Sequence, residues 1–316
     1  MRKNVALGVD VDKKTLWSKH FGMSPYYLVF DRDGNFIREV ENPFAKQKKH
    51  HDDPSLIVEL LDDVFLFIAK AMGQKSRQRL TNEFKIETLI TDKNSVDDAI
   101  AYYLDVKRNI DVFERCFEKY EAWFDKYAAV YESELNMLKA ILPPFERALE
   151  VGVGSGRFAA PLGIKEGVEP SSEMAKIATE RGIKIYPAFA ENLPLENNSY
   201  DFVLIAVTIC FVKDPKKTLK EAYRVLKEDG KIVVAIVDRE TQIGKEYLNK
   251  KEKGQFYRYV NFFSTEEIHR LLEDAGFRIE NTYQTLFGKS IKDINSVQGF
   301  REGYGEGGFV AVLGSK

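Results

Sequence analysis

Cysteine is nearly missing from this chain, with 2 residues in 316, Cys116 and Cys210, far apart. That scarcity excludes a disulfide framework and a tetrathiolate metal site, and it points to a reducing compartment, the cytoplasm. Histidine is scarce as well, with 4 in all, so an imidazole site has few residues to draw on. The N-terminus lacks an apolar run long enough for a signal peptide or a membrane span, which leaves no membrane partner. A net charge of −2 provides no basic footprint. Nucleic acid is thereby excluded as a partner, because its binding rests on phosphate neutralisation. No internal repeat or low-complexity tract is evident. What is present is a chain about twice the length of a typical domain, with 44% apolar residues, enough for two cores.

The most informative stretch is Glu150-Val151-Gly152-Val153-Gly154-Ser155-Gly156. Residues 147–153 read as a buried strand, and a strand that runs into alternating glycines must turn tightly and let its backbone approach a ligand. A dinucleotide fingerprint would place its third glycine or alanine where Arg157 stands. Here it comes early, at Gly156. Glu150 would repel a phosphate but suits a ligand that carries an ammonium and a sulfonium. Glu169, at the end of the next apolar run, is placed to accept both hydroxyls of a ribose. The expected ligand is therefore a nucleoside. The elements beyond Glu169 come in a doubly wound order, with a helix over 171–181, strands over 183–189 and 200–209, and a helix from Asp214-Pro215 stopped by Asp229-Gly230. A strand over 231–237, a helix opened by the capping box Ser264-Thr265-Glu266-Glu267 and closed by Gly276, and an antiparallel pair over 277–287 and 308–313 complete it.

Three groups of residues carry a resemblance to a known family. They are Ala148-Leu149-Glu150-Val151-Gly152; Ala190-Glu191-Asn192-Leu193-Pro194 with Ser199-Tyr200-Asp201-Phe202-Val203; and Glu221-Ala222-Tyr223-Arg224-Val225-Leu226-Lys227 with Gly230. Over about residues 120–316 the chain resembles the class I S-adenosylmethionine-dependent methyltransferases of the ubiquinone/menaquinone-biosynthesis type. The resemblance implies a Rossmann-like seven-stranded domain, S-adenosylmethionine as cofactor and a small-molecule substrate. It implies cofactor contacts at Glu150, Gly152, Gly154, Gly156, Glu169 and Glu191. Where the family commonly has an aspartate for the adenine amino group, this chain has Phe189, which leaves that contact to backbone groups and Glu191.

In a doubly wound sheet the substrate lies beyond the carboxyl ends of the strands. Thr208 and Cys210 stand there after the fourth strand and Asp238 after the fifth. Asp238 is the general-base candidate, and it reads equally as a capping or salt-bridged loop residue. Cys210 has no histidine near it in sequence and reads more readily as a packing residue than a nucleophile. Residues 242–263, with Tyr257 and Tyr259, form either a lid over the acceptor or a surface insertion. Over 111–142 a single helix is expected, with Phe113, Phe117, Tyr120, Phe124, Tyr127 and Tyr131 on one face at alternating spacings of four and three. This stripe packs on the methyltransferase body or lines the substrate cavity.

Residues 1–106 read as a separate small α/β domain, β-β-β-α-β-α-β-α, with a mixed sheet flanked by helices. Ser18-Lys19-His20-Phe21-Gly22-Met23-Ser24-Pro25-Tyr26-Tyr27, Glu39-Val40-Glu41-Asn42-Pro43, the helix from Leu56 and Ala71-Met72-Gly73-Gln74 resemble the nitrogenase iron-molybdenum cofactor-binding family. The resemblance implies a ribonuclease-H-like fold, an iron-sulfur or other metal cofactor, and a metallocofactor donor or acceptor protein as partner. His20 lies in the shared motif and is a candidate ligand. His50 and His51, beside Asp52 and Asp53, form either a second exposed metal site or part of a solvated loop. The domain has no cysteine, so a cluster cannot take its usual thiolates from it. The expected division is 1–106 and 107–316, with 107–142 as a helical cover. The expected activity is methyl transfer to a small molecule. The alternative is a metallocofactor carrier or sensor whose methyltransferase half binds ligand without turnover.

Overall fold

The computed structural model describes residues 2–45, 53–250, 254 and 256–316, so His50 and His51 lie outside the described residues. Among the described residues no helix is long and apolar enough to cross a membrane. The chain divides into two compact units, Met1–Arg108 with Tyr186–Leu195, and Asn109–Ile185 with Glu196–Lys316.

In the first unit β1 (Asn4–Val9), β2 (Tyr26–Phe30) and β3 (Phe36–Glu41) form an antiparallel meander. The turn into β3 works because Asp31 accepts the N–H groups of Asp33 and Asn35 at 2.9 and 2.8 Å, pinning the chain back on itself. Then come α1 (Ser55–Leu60), β4 (Val64–Ala69), α2 (Gln74–Asn82) and β5 (Glu87–Ile90). The sheet order is β3-β2-β1-β4-β5, with β4 parallel to both β1 and β5. This is the mixed sheet expected from the sequence. The family-resembling segments are tied to one another at its core. Phe21 stacks on Phe67 at 4.7 Å, Tyr27 donates its hydroxyl to the Phe21 carbonyl at 3.0 Å, and Asn42 donates to the Gly22 and Ser24 carbonyls at 3.0 and 2.8 Å.

Helix α3 (Val96–Lys126) runs straight through the point where two helices were expected, since residues 106–110 contain neither glycine nor proline to stop it. It kinks at Cys116 (φ −122°, ψ 20°), and Tyr127 (φ −117°, ψ 46°) separates it from α4 (Ala128–Ile141). The single helix expected over 111–142 is thus broken twice. A 3.5-residue repeat drifts by about 20° per heptad on a straight helix, and the breaks divide the aromatic stripe into pieces short enough to keep facing the body.

The second sheet is built from β6 (Ala148–Val151), β7 (Glu166–Val168), β8 (Lys184–Tyr186), β9 (Tyr200–Ala206), β10 (Leu226–Val237), β11 (Arg278–Thr285), β12 (Arg301–Glu302) and β13 (Phe309–Ser315). Its order is β12-β11-β13-β10-β9-β6-β7-β8, with β13 antiparallel between β10 and β11. These are the seven expected strands plus the two-residue β12 at the edge. Helices α5 (Ala159–Leu162), α6 (Ser172–Glu180), α7 (Pro215–Val225), α8 (Gln242–Lys250) and α9 (Thr265–Ala275) connect the strands, with α8 and α9 following one another between β10 and β11. The predicted caps form: Asp214 accepts from Lys217 N–H at 2.9 Å, and Ser264 and Glu267 cap each other's backbone reciprocally. One boundary differs. Helix α7 ends at Val225 because β10 starts at Leu226, pairs there with Tyr200, and shifts register before Lys231 meets Phe202. Asp229-Gly230 therefore turns the chain within an irregular strand and does not stop the helix.

Candidate active site

Strand order reverses direction at β6, with β7 and β8 on one side and β9 and β10 on the other. Open α/β sheets bind ligands at the carboxyl ends of the strands beside such a reversal. The glycine loop leaves β6 here. Gly152 has φ +69°, and a Cβ on it would stand 2.1 Å from Thr208 Cγ2. Gly156 has φ +83°, and its Cβ would stand 2.4 Å from Ile183 Cδ1. Two of the three glycines are therefore required by conformation and by internal packing, whatever ligand approaches the loop. Thr208 sits against this loop, its hydroxyl 2.9 Å from the Gly152 carbonyl and 3.1 Å from that of Ala206. The preceding Val207 adopts φ +52°, an uncommon conformation for a β-branched residue.

Glu169 is buried, and its two carboxylate oxygens accept the N–H groups of Gly154 at 2.9 Å and Ser171 at 2.8 Å. Burial raises its pKa to about 7 against the lowering by those two donors. Each oxygen keeps a lone pair for a hydroxyl donor. Glu150 is also buried and carries an unpartnered Oε2, while the Ala159 N–H donates to its carboxyl group. Burial first, then the neighbouring charge of Glu169, hold the Glu150 carboxyl well above its usual range. An orphaned acidic oxygen beside a second buried carboxylate suits a ligand that brings hydroxyls and positive charge, and these residues fit S-adenosylmethionine. Glu191 is buried too, but its segment groups with the first unit, where the Leu195 carbonyl accepts from Gln74 at 2.8 Å.

Sequence reasoning missed the residues of α3 that close this end of the sheet. Glu121 accepts from Arg157 at 2.8 Å, from Arg181 at 2.6 Å and from the Ser155 hydroxyl. Burial alone would raise its pKa, but the hydrogen bonds from Arg181, Ser155 and Arg157 outweigh burial and hold it low. Glu114 accepts from the Ser172 hydroxyl at 3.1 Å. Tyr120, between these two acids on α3, places its hydroxyl 3.3 Å from where a Gly154 Cβ would be, and it feels the charges of Glu150, Glu121 and Glu169. The available signal was an acidic residue directly after an aromatic of the stripe, Glu114 after Phe113 and Glu121 after Tyr120.

On the substrate side, the candidates separate. The buried Cys210 thiol donates to the Val207 carbonyl at 3.4 Å and is pushed up to about 12 by burial, so it is no nucleophile near neutrality. Asp238 accepts from Glu240 N–H at 2.9 Å, Thr265 N–H at 3.3 Å and the Thr265 hydroxyl at 2.6 Å. Of its two sequence readings, the one that pins a loop to a helix start matches this geometry. The Asn261 N–H donates to the Cys210 carbonyl at 2.9 Å, which ties the chain after α8 to the loop after β9. Within that segment Tyr257 is half-buried, its ring 5.1 Å from that of Tyr247, whereas Tyr259 is 39% exposed.

In the first unit His20 lines a small pocket with Phe21, Asp53, Ile57 and Met72, and its Nε2 lies 3.4 Å from the Ser76 hydroxyl. Among the described residues no three His, Cys, Asp or Glu side chains gather as a metal site.

Comparison with known proteins supplies the context. A methyltransferase-domain family model matches residues 149–234, and a dinitrogenase iron-molybdenum cofactor model matches residues 3–106. An uncharacterised protein of Methanocaldococcus jannaschii is 46% identical over 207 residues, 66% of this chain and 100% of that protein. A demethylmenaquinone methyltransferase of Staphylococcus aureus is 26% identical across 55% of this chain and 88% of its own length. A crystal structure from Thermotoga maritima, described as a SAM-dependent methyltransferase and possible histamine N-methyltransferase, is 49% identical, covers 66% of this chain and 99% of its own, and superposes with a TM-score of 0.64. The chain thus belongs to the S-adenosylmethionine-dependent methyltransferases, with an N-terminal domain of the dinitrogenase iron-molybdenum cofactor family.

Proposed function

We propose that this enzyme holds S-adenosylmethionine with Glu169 on the ribose hydroxyls and the Gly152–Gly156 loop against the methionine portion, and methylates a small molecule beyond the carboxyl ends of β9 and β10. The observation that carries this reading is the buried Glu169 carboxylate, fixed by two backbone donors beside the orphaned Glu150 oxygen. The cofactor supplies a sulfonium methyl group that needs no further activation. The chain's own task is then to hold the acceptor in line and exclude water, and positioning of this kind contributes up to roughly 7–11 kcal/mol. The relative of 49% identity is described as a possible histamine N-methyltransferase and the relative of 26% identity is named a demethylmenaquinone methyltransferase, so an amine is the acceptor class we take first. The test is conversion of S-adenosylmethionine to S-adenosylhomocysteine by the purified full chain with fractionated cell extract. Cofactor binding without turnover in any fraction would favour the alternative, a carrier or sensor.

For the N-terminal domain, the matching family model favours a metallocofactor function. We propose that a cofactor binds at the pocket lined by His20 and Asp53, held by His20, His50 or His51, by carboxylates, or by ligands from a donor or acceptor protein. No chemical step is assigned to it.

A further inference from the structure

Glu134 is a group that neither the fold nor the cofactor site accounts for. It lies on α4 among Val130, Met137, Leu138 and Ile141, on the apolar face of the helix, and is 5% exposed. Burial alone pushes its carboxyl up. A carboxyl so placed is costly to keep, and a core position would be filled more stably by leucine or methionine. Its surroundings are aromatic and polar at once. Its charge bears on the phenols of Tyr131 and Tyr247. Tyr247 is hydrogen-bonded to Tyr257, with the rings perpendicular at 5.1 Å, and Phe262 lies 6.2 Å from Tyr247. This group also reaches the carboxyl edge of the sheet. Tyr131 feels Glu150 at the end of β6, and Tyr257 feels Cys210 after β9.

We propose that Glu134 is the acceptor-binding carboxylate of this enzyme, receiving the ammonium group of a small amine between the rings of Tyr131, Tyr247 and Tyr257. The proposal rests on the methyltransferase reading and names its substrate class. Aromatic faces and a desolvated carboxylate both favour a cation, and neither favours a neutral alcohol to the same degree. The assignment also fills the role that Asp238, with its lone pairs engaged by Glu240 and Thr265, leaves open. The step balances. The ammonium passes one proton to Glu134, the freed nitrogen lone pair forms the N–C bond, the C–S bond breaks with its pair going to sulfur, and S-adenosylhomocysteine remains. The methylated product is again an ammonium, and Glu134 keeps the proton it received as the product leaves, so the one proton released per turnover is the one expelled on capture.

Burial raises the Glu134 carboxyl to about 8, so at pH 7 the empty site holds it protonated. Capture of an ammonium ion must then expel one proton, whichever partner carries the remaining one. The experiment is calorimetry on the full chain with S-adenosylhomocysteine present, titrating histamine, tyramine and 2-phenylethylamine, each against the alcohol that replaces its amine. Every titration is run in two buffers of different ionisation enthalpy. At least one amine is expected to bind tenfold or more tightly than its alcohol and to release close to one proton. Glu134→Gln should abolish both the preference and the proton release while S-adenosylhomocysteine affinity stays unchanged, and Glu134→Asp should restore part of the preference. The absence of any amine preference in the wild type, or its persistence in Glu134→Gln, overturns the proposal. Amine capture with proton release in a protein that does not bind S-adenosylhomocysteine would instead sink the methyltransferase reading and leave Glu134 in its role.

Discussion

Replacing Glu169 tests the cofactor site most directly. In the structure its carboxylate satisfies two backbone donors, Gly154 N–H and Ser171 N–H, one on the glycine loop and one at the N-cap of α6. Glu169→Ala removes the proposed ribose acceptor and leaves both donors without their partner. Hydrogen bonds to a charged group contribute about 1.5–3 kcal/mol, so S-adenosylhomocysteine affinity should fall by roughly 10- to 150-fold, measured by calorimetry at pH 8. The pH dependence adds a second signature. With a pKa of about 7 in the ligand-free protein, Glu169 is largely protonated below that value, while hydroxyl donors favour the ionised form. Affinity should therefore weaken as pH falls below 7, approaching a tenfold loss per pH unit, because one pKa unit corresponds to about 1.4 kcal/mol. Glu169→Gln cannot ionise, so its affinity should be lower at pH 8 and nearly flat from pH 8 to 6. Wild-type affinity in the alanine variant, or the same pH slope in the glutamine variant, would refute the ribose assignment.

Other substitutions probe the surrounding structure. Gly152→Ala forces a left-handed alanine and a 2.1 Å contact with Thr208; strain of about 1–2 kcal/mol plus a displaced Thr208 hydrogen bond of about 1 kcal/mol should lower the unfolding free energy by about 2–3 kcal/mol. Chemical denaturation should show partial rescue by Thr208→Ser, and a loss under about 0.5 kcal/mol would count against this packing account. Tyr257→Ala should weaken acceptor binding or turnover without changing cofactor affinity, whereas Tyr259→Ala, at an exposed ring, should change neither; equal effects of the two in parallel titrations would remove the lid reading. Glu134, raised from an ordinary 4.5 to about 8, contributes stability that is complete below pH 4.5 and lost as pH rises through 8. Glu134→Gln should accordingly unfold at higher denaturant than wild type above pH 8, by an amount on the order of 3–5 kcal/mol, with the gap closing towards pH 5. Anaerobic iron and sulfide reconstitution of the full chain should leave less metal on His20→Ala than on wild type, and equal metal content in the two would count against a cofactor at the His20 pocket.

The glycine loop and the two buried acids that flank it were legible in the sequence because their determinants are local. Glu150, the three glycines and Glu169 fall within one strand-turn-helix-strand unit, and their spacing carries the argument without knowledge of any distant element. The helix caps at Ser171, Asp214 and Ser264 were legible for the same reason. The misread features depend on partners far along the chain. Asp229-Gly230 carries a helix-stop signal, and only the pairing of Leu226 with Tyr200 shows that the strand has already begun. Asp238 looked equally like a base or a cap until Thr265, 27 residues away, took its lone pairs. The grouping of Tyr186–Leu195 with the first unit has no local signature at all.

Glu134 is the instructive case, because a signal existed and was not used. Val130, Glu134, Met137, Leu138 and Ile141 recur at helical spacing, and a glutamate on that stripe must be either buried or at the stripe's edge. Reading α4 only for its aromatic residues hid the acid. The general reason is an asymmetry in how such a fold is assembled. The cofactor's reactive group is the same for every member of the family, so one short segment can specify its contacts. The acceptor differs from enzyme to enzyme, and its contacts come from elements that the common sheet does not dictate: here α4, α8 and the chain after it, which meet only on folding. A side chain that is expensive to bury and has no role in holding those elements together is therefore the most economical pointer to the acceptor's chemistry. In this enzyme that side chain is a carboxyl group among tyrosines.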